Sequence, residues 1–266
     1  MILLLTFIFF IFGLIIGSFL NVVILRLNTQ KSFGGRSGCM TCRHTLSWRE
    51  LIPIFSFLGL RGRCKNCKAK ISWQYPIVEL VTGFIFTLLF LKFSEGGGVA
   101  SALAFIIAYT YYAALFSLLV VIAVYDFRHK IIPDVLSLVL GILAFIGLFL
   151  FSAGSSLNFP VFSLHIPSIL EFLSGLIIAT PFALFWLVSS GRWMGLGDAK
   201  LAIGLGWLFG LSIALSGVVL AFWLGAIVGL LLIIFSKKYG MKSEIPFAPY
   251  LVLGTILAFL FDLRLF

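Results

Sequence analysis

Long apolar runs separated by short polar segments dominate the hydrophobic pattern of this 266-residue chain. A run of about 18 or more apolar residues is long enough to cross a bilayer as a helix. The pattern therefore predicts an all-α polytopic membrane protein with about eight transmembrane helices. Their expected ranges are 2–24, 76–93, 100–125, 132–151, 168–189, 200–215, 217–235 and 247–262.

The apolar stretch 199–236 is too long for a single span. One helix of that length would measure about 55 Å, against a hydrocarbon core of about 30 Å. We therefore expect a turn near Gly210-Leu211-Ser212 that divides the stretch into two short helices. At the other end of the chain, residues 2–24 lack the basic start and the evident cleavage site of a signal peptide, which predicts a retained first helix.

Composition agrees with a membrane protein, because 62% of the residues are hydrophobic, only 11% are charged and the mean hydropathy is +1.19. Soluble domains carry about 25% charged residues. The net charge is +10, and 17 of the 19 basic residues fall in alternate loops on one side of the expected helices. These are Arg26, Lys31, Arg36, Arg43, Arg49, Arg61, Arg63, Lys65, Lys68, Lys70, Arg128, Lys130, Arg192, Lys200, Lys237, Lys238 and Lys242.

This asymmetry predicts the topology. The positive-inside rule makes the basic face cytoplasmic, so both chain termini are expected outside, on the face that keeps only Lys92 and Arg264. Since topology accounts for the charge, no nucleic-acid partner is expected. The predicted domains are a first helix at 1–24, a cytoplasmic segment at 25–75 and a membrane core at 76–266.

All four cysteines lie in the long cytoplasmic loop, as "CMTC" (Cys39, Cys42) and "CKNC" (Cys64, Cys67). Two C-x2-C pairs supply the four thiolates of a tetrahedral zinc site. Disulfides or redox pairs are the alternatives, but cytoplasmic thiols stay reduced. We predict structural zinc that folds this loop.

Between the two pairs, the apolar stretch Leu51–Leu60 contains Pro53 and is too short to cross a membrane. It is expected to form either a core piece of the zinc unit or an interfacial segment. Nearby His44 is interpreted as a surface residue rather than a ligand.

Asp126 ends the third expected span and Asp198 begins the sixth, so both meet the same cytoplasmic leaflet. Two close carboxyl groups share a proton, which lets one activate water while the other donates to a carbonyl oxygen. The alternative for each aspartate is a helix cap or an ion pair with Arg128 or Lys200.

Two other acidic residues lie near the membrane boundary. Asp134 follows Pro133 at the start of a span and is interpreted as structural, at the positive end of a helix dipole. The role of Glu79, inside the second span, is left open, and a packed, protonated or lysine-paired carboxyl group is favoured over a catalytic one.

Glycines flank Asp198 in "GLGD", where Gly195 and Gly197 would let a peptide backbone approach closely. Ordinary helix packing is the alternative. The pairs in "GLIIG" (Gly13, Gly17) and "GAIVG" (Gly225, Gly229) are instead interpreted as G-x-x-x-G helix contacts.

Taken together, these motifs resemble those of the type IV prepilin peptidases, bacterial intramembrane aspartyl proteases with a GxGD motif. The resemblance rests on "GSFLNVVILRL", the four-cysteine segment through "ISWQYPIVELVTG", "DFRHKIIPD", "MGLGDAKLA" and "IPFAPYLVLG". It covers nearly the whole chain. Ala248 is a small departure, because the family motif more often reads I-P-F-G-P.

The resemblance implies cleavage of the basic leader from prepilins or pseudopilins at the cytoplasmic face of the bacterial inner membrane. Asp126 and Asp198 would be catalytic, and Gly195, Gly197 and Lys200 would form a loop near the substrate. It also implies methylation of the new N-terminus with S-adenosylmethionine, although the sequence has no glycine fingerprint that places this cofactor. Pili, type II secretion or competence could be the system served.

Two other functions are compatible with parts of the pattern. A proton-coupled transporter would use the two aspartates as a relay, but predicts mid-membrane acids and internal repeats. A zinc-responsive scaffold would make the cysteine loop the functional part.

Overall fold

A computed structural model describes residues 2–29, 32, 34–95, 102–153, 160–235, 240 and 245–265. Lys31, Lys237, Lys238 and Lys242, which the topology prediction uses, lie outside this part. The helices are α1 (Ile2–Arg26), a 3-10 turn (Trp48–Leu51), α2 (Phe55–Gly59), α3 (Gln74–Glu95), α4 (Ala102–His129), α5 (Asp134–Leu150), α6 (Ile169–Ser189), α7 (Leu196–Phe235) and α8 (Ala248–Leu260).

The hydrophobic pattern did not predict a short antiparallel hairpin between α5 and α6. Its strands are β1 (Phe151–Ala153) and β2 (Pro160–Phe162), with Phe151 opposite Phe162. The Phe151 ring stacks on Tyr111 of α4 with ring centroids 4.6 Å apart. A three-residue strand is too short to show an alternating pattern.

Helices account for every expected span. In the described part, five are long and apolar enough to cross a membrane: α1, α3, α4, α6 and α7. Helices α5 and α8 are apolar but shorter. The all-α membrane architecture is therefore confirmed, while the number of eight crossings stays a prediction.

Helix α7 is interrupted at Gly210, whose backbone angles (φ 73°, ψ 170°) are not helical. This conformation is essentially restricted to glycine, because a Cβ atom would clash. The break divides α7 into 196–209 and 211–235 and confirms the turn expected near Gly210.

The chain forms two compact units, Met1–Glu95 and Gly96–Phe266. In the first, α1 packs along α3. A Cβ atom at Gly13 would lie 2.8 Å from the Gly83 Cα, and one at Gly17 would lie 2.7 Å from the Glu79 Cα. The G-x-x-x-G contact predicted for "GLIIG" is confirmed. The domain ranges 1–24, 25–75 and 76–266 stay a prediction.

In the second unit, α7 packs against α5, α6 and α8, and α8 also packs against α4. The backbones of α6 and α7 meet closely where a Cβ atom at Gly206 would lie 2.6 Å from the Gly175 Cα. An added Cβ atom at Gly225 would meet the side chains of Tyr250 and Phe247, at 3.7 and 4.0 Å, and one at Gly229 would meet that of Ile245, at 3.7 Å. Among the described residues, the helix-backbone contact expected for "GAIVG" is not found.

Polar residues fix the ends of α6. Ser168 caps its first turn by accepting the Glu171 N–H at 3.3 Å, while the Glu171 carboxylate accepts the Ser168 N–H at 2.7 Å. The helix stops at Ser190 and Gly191, which both have left-handed backbone conformations. After α6 ends here, the chain continues through the loop that leads to Asp198.

Candidate active site and metal centre

Asp126 and Asp198 come from two different helices of the second unit. Asp126 lies in the last turn of α4 and Asp198 in the first turn of α7. Both are buried, with 5% and 9% of their surface exposed. Their carboxyl groups are close enough for their charges to interact, so the fold brings together the two aspartates paired by the sequence analysis.

Each of these carboxyl groups also meets the beginning of a helix. The Ala248 N–H at the start of α8 interacts with Asp126, and the Gly195 N–H before α7 interacts with Asp198. A helix N-terminus carries partial positive charge and stabilises a carboxylate. The Asp198 carboxyl group therefore lies near the backbone at the start of its own helix and also near Asp126.

Sequence reasoning did not identify Ala248 as part of this site. Its side chain is fully buried and its N–H points to Asp126. The signal that could have found it is the motif "IPFAPY", in which Pro249 follows the first residue of α8 and favours a helix start at that point.

Lys200 pairs with Asp134, with 2.7 Å between Lys200 Nζ and Asp134 Oδ1. Both side chains are substantially exposed, and such a pair contributes about 0–1 kcal/mol. Asp134 lies in the first turn of α5 after Pro133, as its structural interpretation predicted. Lys200 therefore pairs with Asp134 and not, as the alternative interpretation had it, with Asp198.

The two glycines of "GLGD" have different surroundings. A Cβ atom at Gly197 would lie 3.1 Å from the Ile132 Cβ, so this glycine permits tight packing against the loop before α5. Gly195 is exposed, and a Cβ atom there would lie 3.9 Å from Asp198 Oδ2. A role for either glycine in binding substrate stays a prediction.

Glu79 lies in the first unit, on α3, and is only 6% exposed. Its Oε2 accepts the Ile54 N–H at 2.8 Å, and its carboxyl group also interacts with the Ser18 hydroxyl. Of the alternatives left open, the structure therefore favours a packed, hydrogen-bonded carboxyl group. Its partner Ile54 has φ 61°, which is strained for a β-branched residue.

The four cysteine sulfurs converge, with all Sγ atoms within 4.8 Å of one another. Cys39 and Cys67 are separated by 3.7 Å, and Cys42 and Cys64 by 4.0 Å. A tetrahedral zinc ion with bonds of about 2.3 Å separates its sulfur ligands by about 3.8 Å. The thiols therefore fit a closed four-thiolate zinc site, and none of the four is in a disulfide.

Backbone N–H groups favour the thiolate form of one of the four cysteines, Cys39. The N–H groups of Cys42 and Thr41 lower the pKa of Cys39 to about 6, which favours the thiolate that binds metal. His44 lies instead 3.7 Å from the Glu50 carboxylate. The convergent group contains only cysteines, in agreement with the surface role predicted for His44.

The two cysteine pairs form repeated structures that the sequence analysis missed. In each, the N–H of the first cysteine donates to the carbonyl five residues later, at 2.9 Å from Cys39 and 2.8 Å from Cys64. The carbonyl of the same cysteine accepts the N–H four residues later, at 3.0 and 3.1 Å. The signal was present in "CMTCRHTLSW" and "CKNCKAKISW", which share C-x2-C-x3-(Leu/Ile)-Ser-Trp.

The fold and these sites define a polytopic membrane protein with a buried aspartate pair and a separate four-thiol centre. Comparison with known proteins identifies the family. Residues 11–93 match the bacterial peptidase A24 N-terminal domain, and residues 113–230 match the type IV leader peptidase family. No solved structure matches the chain.

Several curated proteins are similar over most of their length. The prepilin leader peptidase/N-methyltransferase of Bacillus subtilis is 33% identical over 96% of this chain and 93% of its own. The type 4 prepilin-like proteins leader peptide-processing enzyme of Escherichia coli is 34% identical over 92% and 89%. The prepilin leader peptidase/N-methyltransferase of Pseudomonas aeruginosa is 30% identical over 93% and 87%.

This chain belongs to the type IV leader peptidase family, and is a peptidase embedded in a membrane by its apolar helices. The proton-coupled transporter considered from the sequence is not supported by these similarities.

Proposed function

We propose that this protein is an intramembrane aspartyl endopeptidase that removes the basic leader from type IV prepilins or pseudopilins. Family membership and the names of its relatives support this activity. The observation that carries the catalytic assignment is the buried pair of carboxyl groups on α4 and α7.

In this proposal, Asp126 and Asp198 act as one unit that shares a proton. The ionised carboxylate removes a proton from water as the water oxygen attacks the scissile carbonyl carbon. The protonated carboxyl group donates to the carbonyl oxygen. The C–N bond then breaks, and the leaving amine takes up a proton. Because the two groups are coupled, their acid and base roles belong to the pair.

The proposed orientation places both chain termini outside and the aspartates at the cytoplasmic side of the bacterial inner membrane. The distribution of basic residues along the chain supports it, because basic loops are retained in the cytoplasm. A basic leader on a membrane-embedded substrate would then meet the pair where its own apolar helix begins. Gly195, Gly197 and Lys200 would border that segment of the substrate.

The second proposed activity is methylation of the new N-terminal amine with S-adenosylmethionine as methyl donor. It is supported by the names of the relatives, which combine leader peptidase and N-methyltransferase. The zinc ion proposed for the cysteine centre would have a structural role, because four thiolates leave no open coordination position for substrate.

One experiment tests both activities. The purified full-length protein, in detergent or lipid nanodiscs, is incubated with a prepilin-like peptide that has a basic leader followed by an apolar helix. Mass spectrometry is expected to show loss of the leader without added cofactor. A further gain of one methyl group is expected only with S-adenosylmethionine. An intact peptide would contradict the peptidase assignment, and leader loss without methyl gain would contradict methylation alone.

A further inference from the structure

The apolar stretch Leu51–Leu60 is exposed rather than buried in the zinc unit. Four large side chains, those of Leu51, Ile52, Phe55 and Leu58, each expose between 38% and 71% of their surface. Phe57 alone is buried in this stretch, where its ring packs on Trp73 with centroids 4.9 Å apart. Exposed apolar patches of this kind mark interaction sites on protein or membrane.

A part-buried hydrogen bond ties this stretch to the beginning of α3. Its Ile54 N–H donates to Glu79 Oε2 at 2.8 Å, and Glu79 lies five residues beyond the start of the membrane helix α3. At 1.5 Å per residue, that position is about 7.5 Å along the helix. The stretch is therefore held beside the first turns of α3, and an apolar segment at the end of a membrane helix is well placed to enter the interface.

The surroundings of the stretch are strongly basic. Arg49 precedes it, and Arg61 and Arg63 follow it, with all three side chains exposed. Across residues 34–73, eight basic residues accompany a single acidic one, Glu50. Basic residues next to an apolar interfacial segment attract anionic lipid headgroups.

An exposed tryptophan also indicates that this region lies at the membrane–water interface. Trp73 immediately precedes α3 and exposes 68% of its surface. Tryptophan is enriched at the ends of membrane helices, where its amphipathic ring lies among the headgroups.

We propose that Leu51–Leu60 is an interfacial anchor that inserts its apolar side chains into the leaflet beside α3 and binds anionic phospholipid headgroups through Arg49, Arg61 and Arg63. This inference does not depend on the proposed peptidase activity. A basic substrate leader is a poorer occupant, because the eight basic residues of this segment would repel it.

Photocrosslinking in nanodiscs tests the anchor in the full-length protein. The variant Phe55→p-benzoylphenylalanine changes an exposed position, and Phe19 of α1, which is 55% exposed on an apolar helix, serves as the matched lipid-facing control. We expect phospholipid adducts at both positions in nanodiscs that contain phosphatidylglycerol. Adducts at position 19 alone would overturn the proposal, as would adducts from position 55 to an added prepilin-like peptide in place of lipid.

Charge variants test the lipid preference. Replacing phosphatidylglycerol by phosphatidylcholine, or combining Arg49→Gln, Arg61→Gln and Arg63→Gln, should lower the lipid adduct yield at position 55 by about fivefold or more. Arg264→Gln removes an exposed charge that the topology prediction places on the opposite membrane face, and it should leave the yield unchanged. Zinc content checks that each variant is folded. Equal yields in both lipids and in all folded variants would overturn the anionic headgroup assignment.

Discussion

Four carboxyl groups of this chain differ in their burial and in the groups that they contact. Asp126 and Asp198 are buried and face each other at the beginnings of two helices. Asp134 is exposed and paired with Lys200, and Glu79 accepts a backbone hydrogen bond in the other unit. Of these four carboxyl groups, Asp126 and Asp198 are the two close enough to act together, as the proposed mechanism requires.

Neutralising either member of the pair should abolish cleavage. Asp126→Asn and Asp198→Asn keep the side-chain shape but cannot exchange a proton, so we expect leader cleavage to fall by about 100-fold to 10,000-fold. The rate of leader loss from a prepilin-like peptide measures the effect.

The matched control is Glu171→Gln, which neutralises a carboxyl group in the first turn of α6 and can still accept the Ser168 N–H. Its cleavage rate should stay within about twofold of the unchanged protein. Near-normal cleavage by either Asp126→Asn or Asp198→Asn would contradict the catalytic pair.

At this scale, residue type and expected membrane depth were sufficient to pair Asp126 with Asp198 and to group the four cysteines. They could not identify Ala248, because its contribution is a backbone N–H, which every residue except proline carries. The role of Glu79 was equally hidden, since its partner Ile54 is 25 residues away in sequence.

Among the elements, α7 shows how one glycine shapes the membrane unit. Its 40 residues would form a single rod if Gly210 were helical. The break instead ends the first segment after 14 residues, which carry Asp198 at one end. The length of the apolar stretch alone predicted this break, because an unbroken helix would be longer than the hydrocarbon core is thick.

Replacing Gly210 should destabilise the second unit. Gly210→Ala forces a Cβ atom into a conformation that is nearly exclusive to glycine, at a cost of about 1–3 kcal/mol in the free energy of unfolding. Denaturant or thermal unfolding in detergent measures this loss.

Gly141→Ala is the control, because that glycine lies inside α5 with nothing within 4 Å of an added Cβ atom. It should be neutral or stabilising by up to about 1 kcal/mol, since alanine favours helix. Equal stability of the two variants would show that the break at Gly210 is not a constraint in the folded protein.

The elements that the sequence failed to predict are those with no periodic signal. The hairpin of β1 and β2 has only three residues in each strand. The packing of "GAIVG" was wrongly expected because glycine spacing does not reveal which side chains lie opposite, and Tyr250 and Ile245 lie there. Close backbone contact instead occurs at Gly206 and Gly175.

For the whole molecule, the division into two units separates the metal centre from the aspartate pair. The four cysteines belong to Met1–Glu95, and both aspartates belong to Gly96–Phe266. Because neither α2 nor the 3-10 turn exceeds five residues, we expect the proposed zinc ion to supply much of the folding free energy of the cysteine segment.

Loss of a zinc ligand should therefore unfold one region selectively. Cys64→Ser removes a buried ligand, so we expect bound zinc to fall from about one ion per chain to nearly none. Backbone hydrogen exchange over 34–73 should rise, while that of the core of α4 and α7 should change little. Elemental analysis and exchange mass spectrometry provide the two measurements.

Met40→Ala is the matched control, because Met40 lies between the ligands of the first pair and is 68% exposed. It should keep its zinc and its exchange protection. Full zinc content in Cys64→Ser would refute the four-thiolate site, and equal loss of protection in both units would refute their independence.

The short length of α8 has a consequence for how water reaches the aspartate pair. Its 13 residues rise about 20 Å, about 10 Å less than the hydrocarbon thickness of a typical bilayer. A helix this short leaves its ends close to the polar regions of the bilayer unless neighbouring helices or lipids adjust around it. Because α8 begins beside the Asp126 carboxyl group, water that reaches the first turn of this short helix would also reach the proposed catalytic pair.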